Sequence, residues 1–213
     1  MMLAHFKPFS PSKQLAWILI LSCCLASQNG NGDKYTIDAC SVTPYRDLCV
    51  RSLASFSNEA KQDPSKWARA GVSVTIGEAK KVARSLANLK QNGSRGFVAR
   101  ARDRMAIADC VECFQDALDN LHESLDVLRN LSVVQFGSQM EDVITWISAA
   151  LTDEDTCLDG FDQEKGKHLA FVLNCVSKTS YMTSNALALV NKLATTGPGS
   201  LAYGLKHRRS ACS

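Results

Sequence analysis

The strongest constraint on the fold is an apolar pattern of helical period that recurs in four separate segments. In each, apolar side chains return at steps of three and four residues and so share one face of an α-helix. Such a face must be buried against another element. The four seams are Ala68, Val72, Ile76, Ala79, Ala83 and Leu86; Ile107, Val111, Phe114, Leu118, Leu121, Leu125 and Leu128; Met140, Val143, Ile144, Ile147 and Leu151; and Leu169, Val172, Val176, Thr179, Thr183, Ala186, Val190 and Leu193.

Four amphipathic helices with short connections pack most simply as an antiparallel up-down-up-down bundle. No segment alternates apolar and polar residues as a half-buried strand would. The sequence therefore predicts an all-α fold with a four-helix bundle over residues 63–195.

Signals at the segment ends set the expected limits of two bundle helices. Asp63 followed by Pro64 is typical of an N-cap with proline at the first helical position. The first bundle helix should stop near Asn92–Gly93, and Gly197–Gly199 should close the last one. The remainder, 196–213, lacks periodicity and is predicted to be a flexible tail.

The third bundle helix is predicted to span Ser138–Thr152. Its first residue and Glu141 offer a capping box. The acidic run that follows has no apolar residue to bury. We therefore expect Asp153 and Asp155 to solvate and cap a turn, and Cys157 to belong to a neighbouring element.

The N-terminus has the features of a secretory signal peptide over residues 1–26. Lys7 and Lys13 precede an apolar run that is too short to span a bilayer and ends in small residues, so we favour a signal peptide over a membrane anchor. Without it the chain has 22 basic and 21 acidic residues, a net charge of about +1, which gives no electrostatic reason to expect nucleic-acid binding. The sequons at Asn92 and Asn130 would be available during secretion.

Seven cysteines remain after residue 26, and in a secreted chain these are disulfide candidates. Nine residues of straight helix would separate the Cα atoms of Cys40 and Cys49 by about 13 Å, beyond the reach of a disulfide. If the two pair, the chain must turn at Pro44, which predicts a helical hairpin over 33–60.

Cys110 flanks the seam of the second bundle helix, from which it can reach an adjacent helix, and Cys157 is its natural partner. A redox or metal role for the pair Cys110 and Cys113 is disfavoured, because no strand precedes it and no second ligand pair completes a zinc site. Cys113, Cys175 and Cys212 are left over. A Cys113–Cys175 bridge and a buried free thiol at Cys175 both remain open.

The chain contains no catalytic or nucleotide-binding motif that we recognise: no nucleophile elbow, no HExxH helix and no P-loop. We therefore expect a binding protein rather than an enzyme, without metal or cofactor.

One surface feature of the second bundle helix suggests how such a protein could bind. Its carboxylates share the face opposite the apolar seam, and we call this set the acidic strip: Asp109, Glu112, Asp116, Asp119, Glu123 and Asp126. It is either an ordinary solvated face or a surface that attracts a basic partner.

Four stretches of the sequence together resemble the plant invertase and pectin methylesterase inhibitor family. They are TPYRDLC from Thr43, DC-x2-C-x-QDALDNL from Asp109, TWISAALTDEDTCLDGF from Thr145 and SNALALVNKL from Ser184. The resemblance implies the disulfides Cys40–Cys49 and Cys110–Cys157. It also implies an extracellular inhibitor that forms a stoichiometric complex with a carbohydrate-active plant enzyme and blocks its substrate cleft.

In this family, pectin methylesterase inhibitors engage their target through the second and third bundle helices. On this chain those are Met105–Asn130 and Ser138–Thr152. The resemblance therefore makes the acidic strip and the third helix the expected interface. The candidate partner-binding residues are Glu112, Asp116, Asp119, Glu123 and Thr145.

The choice of target rests on a departure from one branch of the family. In the invertase-inhibitor branch of the family, a Pro-Lys-Phe pattern lies between the second and third helices, whereas this chain has Val134-Gln135-Phe136. We therefore expect a free-standing pectin methylesterase inhibitor in the cell wall, since no catalytic domain follows before Ser213. The alternatives are an acid invertase inhibitor and, from another class, a secreted hydrolase or carbohydrate-binding protein.

Overall fold

The computed structural model describes residues 33–92, 101–161 and 167–199. Within these ranges every regular element is a helix, and the all-α prediction is confirmed. The predicted signal peptide and all but the first four residues of the predicted tail lie outside the described residues.

The N-terminal part is a compact hairpin of short helices. They are α1 (Lys34–Ala39), a 3₁₀ turn (Cys40–Val42), α2 (Arg46–Leu53), a second 3₁₀ turn (Ala54–Phe56) and α3 (Ser57–Ala60). Asp33 caps α1 by accepting from the Thr36 amide (3.1 Å), and it also accepts from the Ser57 hydroxyl. One carboxylate therefore ties the start of α1 to α3.

A disulfide joins the two arms of this hairpin. The Cα atoms of Cys40 and Cys49 lie 5.8 Å apart, because the first 3₁₀ turn and the bend at Pro44 reverse the chain between them. The predicted disulfide-stapled hairpin is therefore present.

The hairpin docks on the bundle through a small apolar cluster of its own. Cys49 and Leu53 are buried there with Trp67 and Leu189. The Asn185 amide accepts from the backbone N–H of Tyr45 (2.9 Å) and donates to the carbonyl of Tyr45 (3.0 Å). This pair of hydrogen bonds fixes the turn of the hairpin to the last bundle helix.

Four long helices follow: α4 (Pro64–Asn92), α5 (Ala101–Arg129), α6 (Phe136–Asp159) and α7 (Lys167–Thr196). Each packs against two others, α4 on α5 and α7, and α6 on α5 and α7, so that the four close a ring. This is the helix arrangement of the predicted bundle.

Contacts between neighbouring helices give their relative directions. Cys110 and Asn120 of α5 meet Cys157 and Asp153 of α6, in reversed order along the chain. Glu78 of α4 likewise meets Lys178 of α7 (2.8 Å), while Gly71, earlier in α4, lies against Leu189, later in α7. Both pairs of helices are antiparallel, as the predicted topology requires.

The apolar seams form the core between the helices. Almost all of their described side chains are buried, and Ala83, Leu118, Ile144 and Leu151 are partly so. Two polar members of the last seam, Thr179 and Thr183, are fully buried as well. Thr179 donates its hydroxyl to the carbonyl of Cys175 (3.0 Å), and the hydroxyl oxygen of Thr183 lies 3.1 Å from the carbonyl of Thr179. The periodicity therefore identified the inward faces correctly.

The predicted start of α4 and end of α7 are also confirmed. Asp63 accepts from the backbone amide of Ser65 (2.9 Å) at the start of α4. The predicted stop of α4 near Asn92–Gly93 borders residues outside the described ranges. Gly197 follows α7 with φ +79°, a conformation that favours glycine, and its N–H donates to Leu193 (3.1 Å).

The prediction for the third bundle helix is wrong at both ends. No capping box forms: Ser138 lies inside α6 and its hydroxyl donates to the carbonyl of Gln135 (3.0 Å), because burial of Phe136 starts the helix earlier. The helix does not end near Thr152 either but runs to Asp159, so that Cys157 lies inside it. The acidic run continues the helix because its carboxylates find partners on both neighbouring helices.

Candidate functional site

The six carboxylates of the acidic strip are all exposed and cover about five turns of α5. Asp126 pairs with Arg129 (3.3 Å). Among the described residues no cation lies within ion-pair distance of Asp109, Glu112, Asp116, Asp119 or Glu123. The strip therefore presents five negative charges that no internal ion pair neutralises.

The strip extends across the groove between α5 and α6. Asn120 donates its side-chain N–H to the carboxylate of Asp153 (3.4 Å). Partial burial raises the pKa of Asp153, and the nearby charge of Asp116 raises it further. Asp153 thus adds an acid from α6 to the edge of the strip. The sequence pattern instead predicts a solvated turn for this residue.

Cys113 lies in the same groove and has a free thiol. Its partial burial raises the pKa of the thiol, and the carboxylates of Asp153, Asp116 and Asp109 raise it further. A thiol held in its protonated form is a poor nucleophile. Cys113 is therefore suited to packing rather than to redox chemistry.

Thr145 is exposed on α6, and its hydroxyl donates to the carbonyl of Glu141 (2.8 Å). At one residue per 1.5 Å on each antiparallel helix, the Cys110–Cys157 bridge places Thr145 level with about residue 122 of α5, and the contact between Asn120 and Asp153 places it level with about residue 128. It therefore lies toward the end of the strip that carries Glu123 and Asp126. No described hydrogen bond joins Thr145 to a strip residue.

A disulfide from Cys110 fixes α5 to α6. Cys110 and Cys157 are both buried and disulfide-bonded, with their Cα atoms 4.5 Å apart. This bridge holds the two helices of the candidate surface in one register. Cys110 is therefore not available for a bond with Cys113.

The open alternatives for the remaining cysteines are both wrong. Cys113 is free while Cys175 is disulfide-bonded, so they do not pair with each other, and Cys175 is not a free thiol. Cys212 lies outside the described residues.

The sequence pattern does not predict that α6 contains a buried acid. Glu154 is 0% exposed, and one of its oxygens accepts from the hydroxyl of Thr183 on α7 (2.9 Å). The next residue, Asp155, accepts from the hydroxyl of Ser180 (3.0 Å). Asp153 and Asp155 therefore bind neighbouring helices instead of capping a turn, and the prediction for them is wrong.

Burial raises the pKa of Glu154 to about 8, against the lowering effect of the Thr183 hydrogen bond, and the charges of Asp155 and Asp153 raise it further. Its second oxygen has no hydrogen-bond partner among the described residues. Glu154 is consequently a protonated core residue at neutral and acidic pH. The sequence does contain a signal that the helix continues past the acids, because apolar residues resume the seam at Cys157, Leu158 and Phe161.

The described residues offer neither a metal site nor a membrane-spanning helix. Their His, Cys, Asp and Glu side chains form no group of three that could hold a metal ion. None of their helices combines the length and apolar character that crossing a bilayer requires.

Comparison with known proteins gives one consistent family. The family model for plant invertase/pectin methylesterase inhibitors matches residues 35–189. The chain is 46% identical to pectinesterase inhibitor 6 of Arabidopsis thaliana over 165 residues, which cover 76% of this chain and 77% of that one. It is 33% identical to pectinesterase inhibitor 3 of the same plant over 189 residues, covering 85% and 90%.

Solved structures agree on the fold. A crystal structure of a mutant pectin methylesterase inhibitor from Arabidopsis superimposes with a TM-score of 0.58 at 22% identity, covering 71% of this chain and 92% of that one. A second inhibitor structure from Arabidopsis thaliana gives 0.53 at 21% identity, covering 73% and 93%. At these identities the likeness supports the helical fold and nothing finer.

Proposed function

Since this chain belongs to the plant invertase/pectin methylesterase inhibitor family, we propose that it inhibits a pectin methylesterase by forming a stoichiometric complex that blocks the enzyme's substrate cleft. The observation that carries the proposal is the 46% identity to a protein named pectinesterase inhibitor 6. Regulation of cell-wall pectin methylesterification would be its role.

Pectin methylesterase is favoured over acid invertase as the target. The relatives at 46% and 33% identity are both named pectinesterase inhibitors. The segment Val134-Gln135-Phe136 also lacks the Pro-Lys-Phe pattern of the invertase branch.

The interface that we propose is the outer surface of α5 and α6. The residues assigned to it are Glu112, Asp116, Asp119, Glu123 and Thr145. Five carboxylates that lack an ion-pair partner within the described ranges would attract a basic rim around an enzyme cleft. They would speed encounter more than they strengthen the final complex. The disulfide between Cys110 and Cys157 supports this role because it holds both helices before the partner arrives.

We propose that inhibition is purely steric and that the protein acts outside the cell, without catalysis or cofactor. The disulfides Cys40–Cys49 and Cys110–Cys157 favour an oxidising, secreted environment. An inhibitor of this kind needs a rigid complementary surface and no reactive group.

Titration of enzyme activity tests this function. Purified protein is added in steps to a plant pectin methylesterase and, separately, to an acid invertase. We expect pectin methylesterase activity to fall linearly to an end point near one inhibitor per enzyme, with invertase unaffected. Loss of invertase activity alone would select the other target. Full activity of both enzymes at excess protein would contradict the inhibitor proposal for those enzymes.

A further inference from the structure

The turn between α5 and α6 displays an acceptor sequence for N-linked glycans. Asn130, the residue after α5, is exposed and begins the tripeptide Asn130-Leu131-Ser132. Its side-chain amide donates one hydrogen to the carbonyl of Asp126 (3.0 Å). A primary amide has two hydrogens and glycosylation replaces only one, so the modified nitrogen keeps a hydrogen.

The environment in which this domain matures is the one where such glycans are attached. Cys40–Cys49 and Cys110–Cys157 are both disulfide-bonded. Structural disulfides form in the oxidising lumen of the secretory route, where asparagine in this sequence context is also modified.

Exposed apolar side chains follow the sequon. Val133 is 54% exposed and Val134 is 94% exposed, the largest exposed fraction among the large apolar side chains of the described residues. Two hydrogen bonds to α6 fix the turn that carries these two valines. The side chain of Gln139 accepts from the amide of Ser132 (2.8 Å) and donates to the carbonyl of Asn130 (3.1 Å).

We propose that Asn130 carries an N-linked oligosaccharide and that its first sugars cover the side chains of Val133 and Val134. The valines lie three and four residues beyond the attachment point, within reach of a chitobiose core. The glycan would then shield an apolar tip that otherwise favours self-association. This inference is independent of which enzyme the protein inhibits.

Mass spectrometry of the full chain secreted from plant cells tests the modification. A peptide containing Asn130 should carry the glycan, and enzymatic release should convert Asn130 to aspartate. Ser132→Ala should lose the modification entirely, whereas Ser132→Thr, which preserves the acceptor sequence, should retain it. An unmodified Asn130 in both the wild type and the Ser132→Thr variant would overturn the proposal.

The covering role has its own measurement. The Ser132→Ala protein should bind more of a hydrophobic dye than the glycosylated wild type and should form dimers or larger species, by sedimentation, at concentrations where the wild type is monomeric. Replacing both Val133 and Val134 by serine in that variant should restore the wild-type behaviour. If removal of the glycan changes neither dye binding nor self-association, the sugars do not cover these valines.

Discussion

Glu154 occupies a place on the inward face of α6 where a bundle helix ordinarily carries an apolar side chain. It is held there as a neutral acid: Thr183 donates to one oxygen, and burial keeps the proton on the group. Its flanking residues Asp153 and Asp155 turn outward to partners on α5 and α7. A single residue thus couples the packing of α6 and α7 to proton concentration.

Replacement of Glu154 by glutamine tests this coupling. Unfolded Glu154 loses its proton near pH 4.5, whereas the folded form keeps it to about pH 8. Between these values the native state binds the extra proton, so the free energy of unfolding falls as pH rises, by up to about 1.4 kcal/mol per pH unit. Glu154→Gln removes this slope and should be more stable than wild type at pH 8.

Urea denaturation at pH 5, 6.5 and 8 measures the effect. The two proteins should have similar stabilities at pH 5 and diverge as pH rises. Glu123→Gln, a change at an exposed carboxylate of the strip, should follow the wild-type slope. Parallel pH profiles for wild type and Glu154→Gln would mean that Glu154 is not protonated in the folded protein.

At the scale of the element, the bundle depends on how α5 and α6 are joined. The disulfide between Cys110 and Cys157 spans 47 residues of sequence and links two core positions. The hairpin disulfide between Cys40 and Cys49 spans only 9. Because loop-closure entropy grows with loop length, the two bridges should differ in what they contribute to stability.

Removing each bridge separately by a pair of alanines tests this difference. The chain-entropy relation gives about 4 kcal/mol for the loss of Cys110–Cys157 and about 2.5 kcal/mol for the loss of Cys40–Cys49. All four cysteines are buried, so each pair serves as the control for the other. Chemical denaturation measures both losses. A larger loss from the hairpin pair would contradict the view that the bridge between α5 and α6 is the principal staple.

Helix identity and inward faces were predictable from sequence because periodicity reports burial, and burial is what the four seams share. The end of α6 was not predictable in the same way. In the sequence, Asp153, Glu154 and Asp155 resemble a solvated helix stop. In the structure they continue the helix, because their side chains bond to Asn120, Thr183 and Ser180 on the neighbouring helices. Such contacts join residues far apart in the chain, which local patterns do not encode.

The candidate surface was likewise predictable only in part from the sequence. The acidic strip was readable as one helical face, and its exposure is as predicted. The addition of Asp153 from α6 required the register between the two helices, which the contact with Asn120 provides.

At the scale of the whole molecule, the protein is a disulfide-stapled bundle whose charged outer surface we propose to be its functional part. Five carboxylates of α5 have no ion-pair partner among the residues that the structure describes, while the apolar faces of the helices form the core. Attraction between such a surface and a basic enzyme rim is long-ranged at low salt and is screened within about 10 Å at 0.1 M ionic strength.

The most direct measurement is the inhibition of pectin methylesterase by the double variant Asp116→Lys/Asp119→Lys at low and physiological salt. We expect potency to fall on the order of tenfold at low salt and by less at physiological salt, with unchanged helicity by circular dichroism. Asp38→Lys/Asp47→Lys makes the same change of charge at exposed positions on the hairpin and should inhibit like the wild type. Equal potency of the two double variants at both salt concentrations would contradict the assignment of the strip as the binding surface.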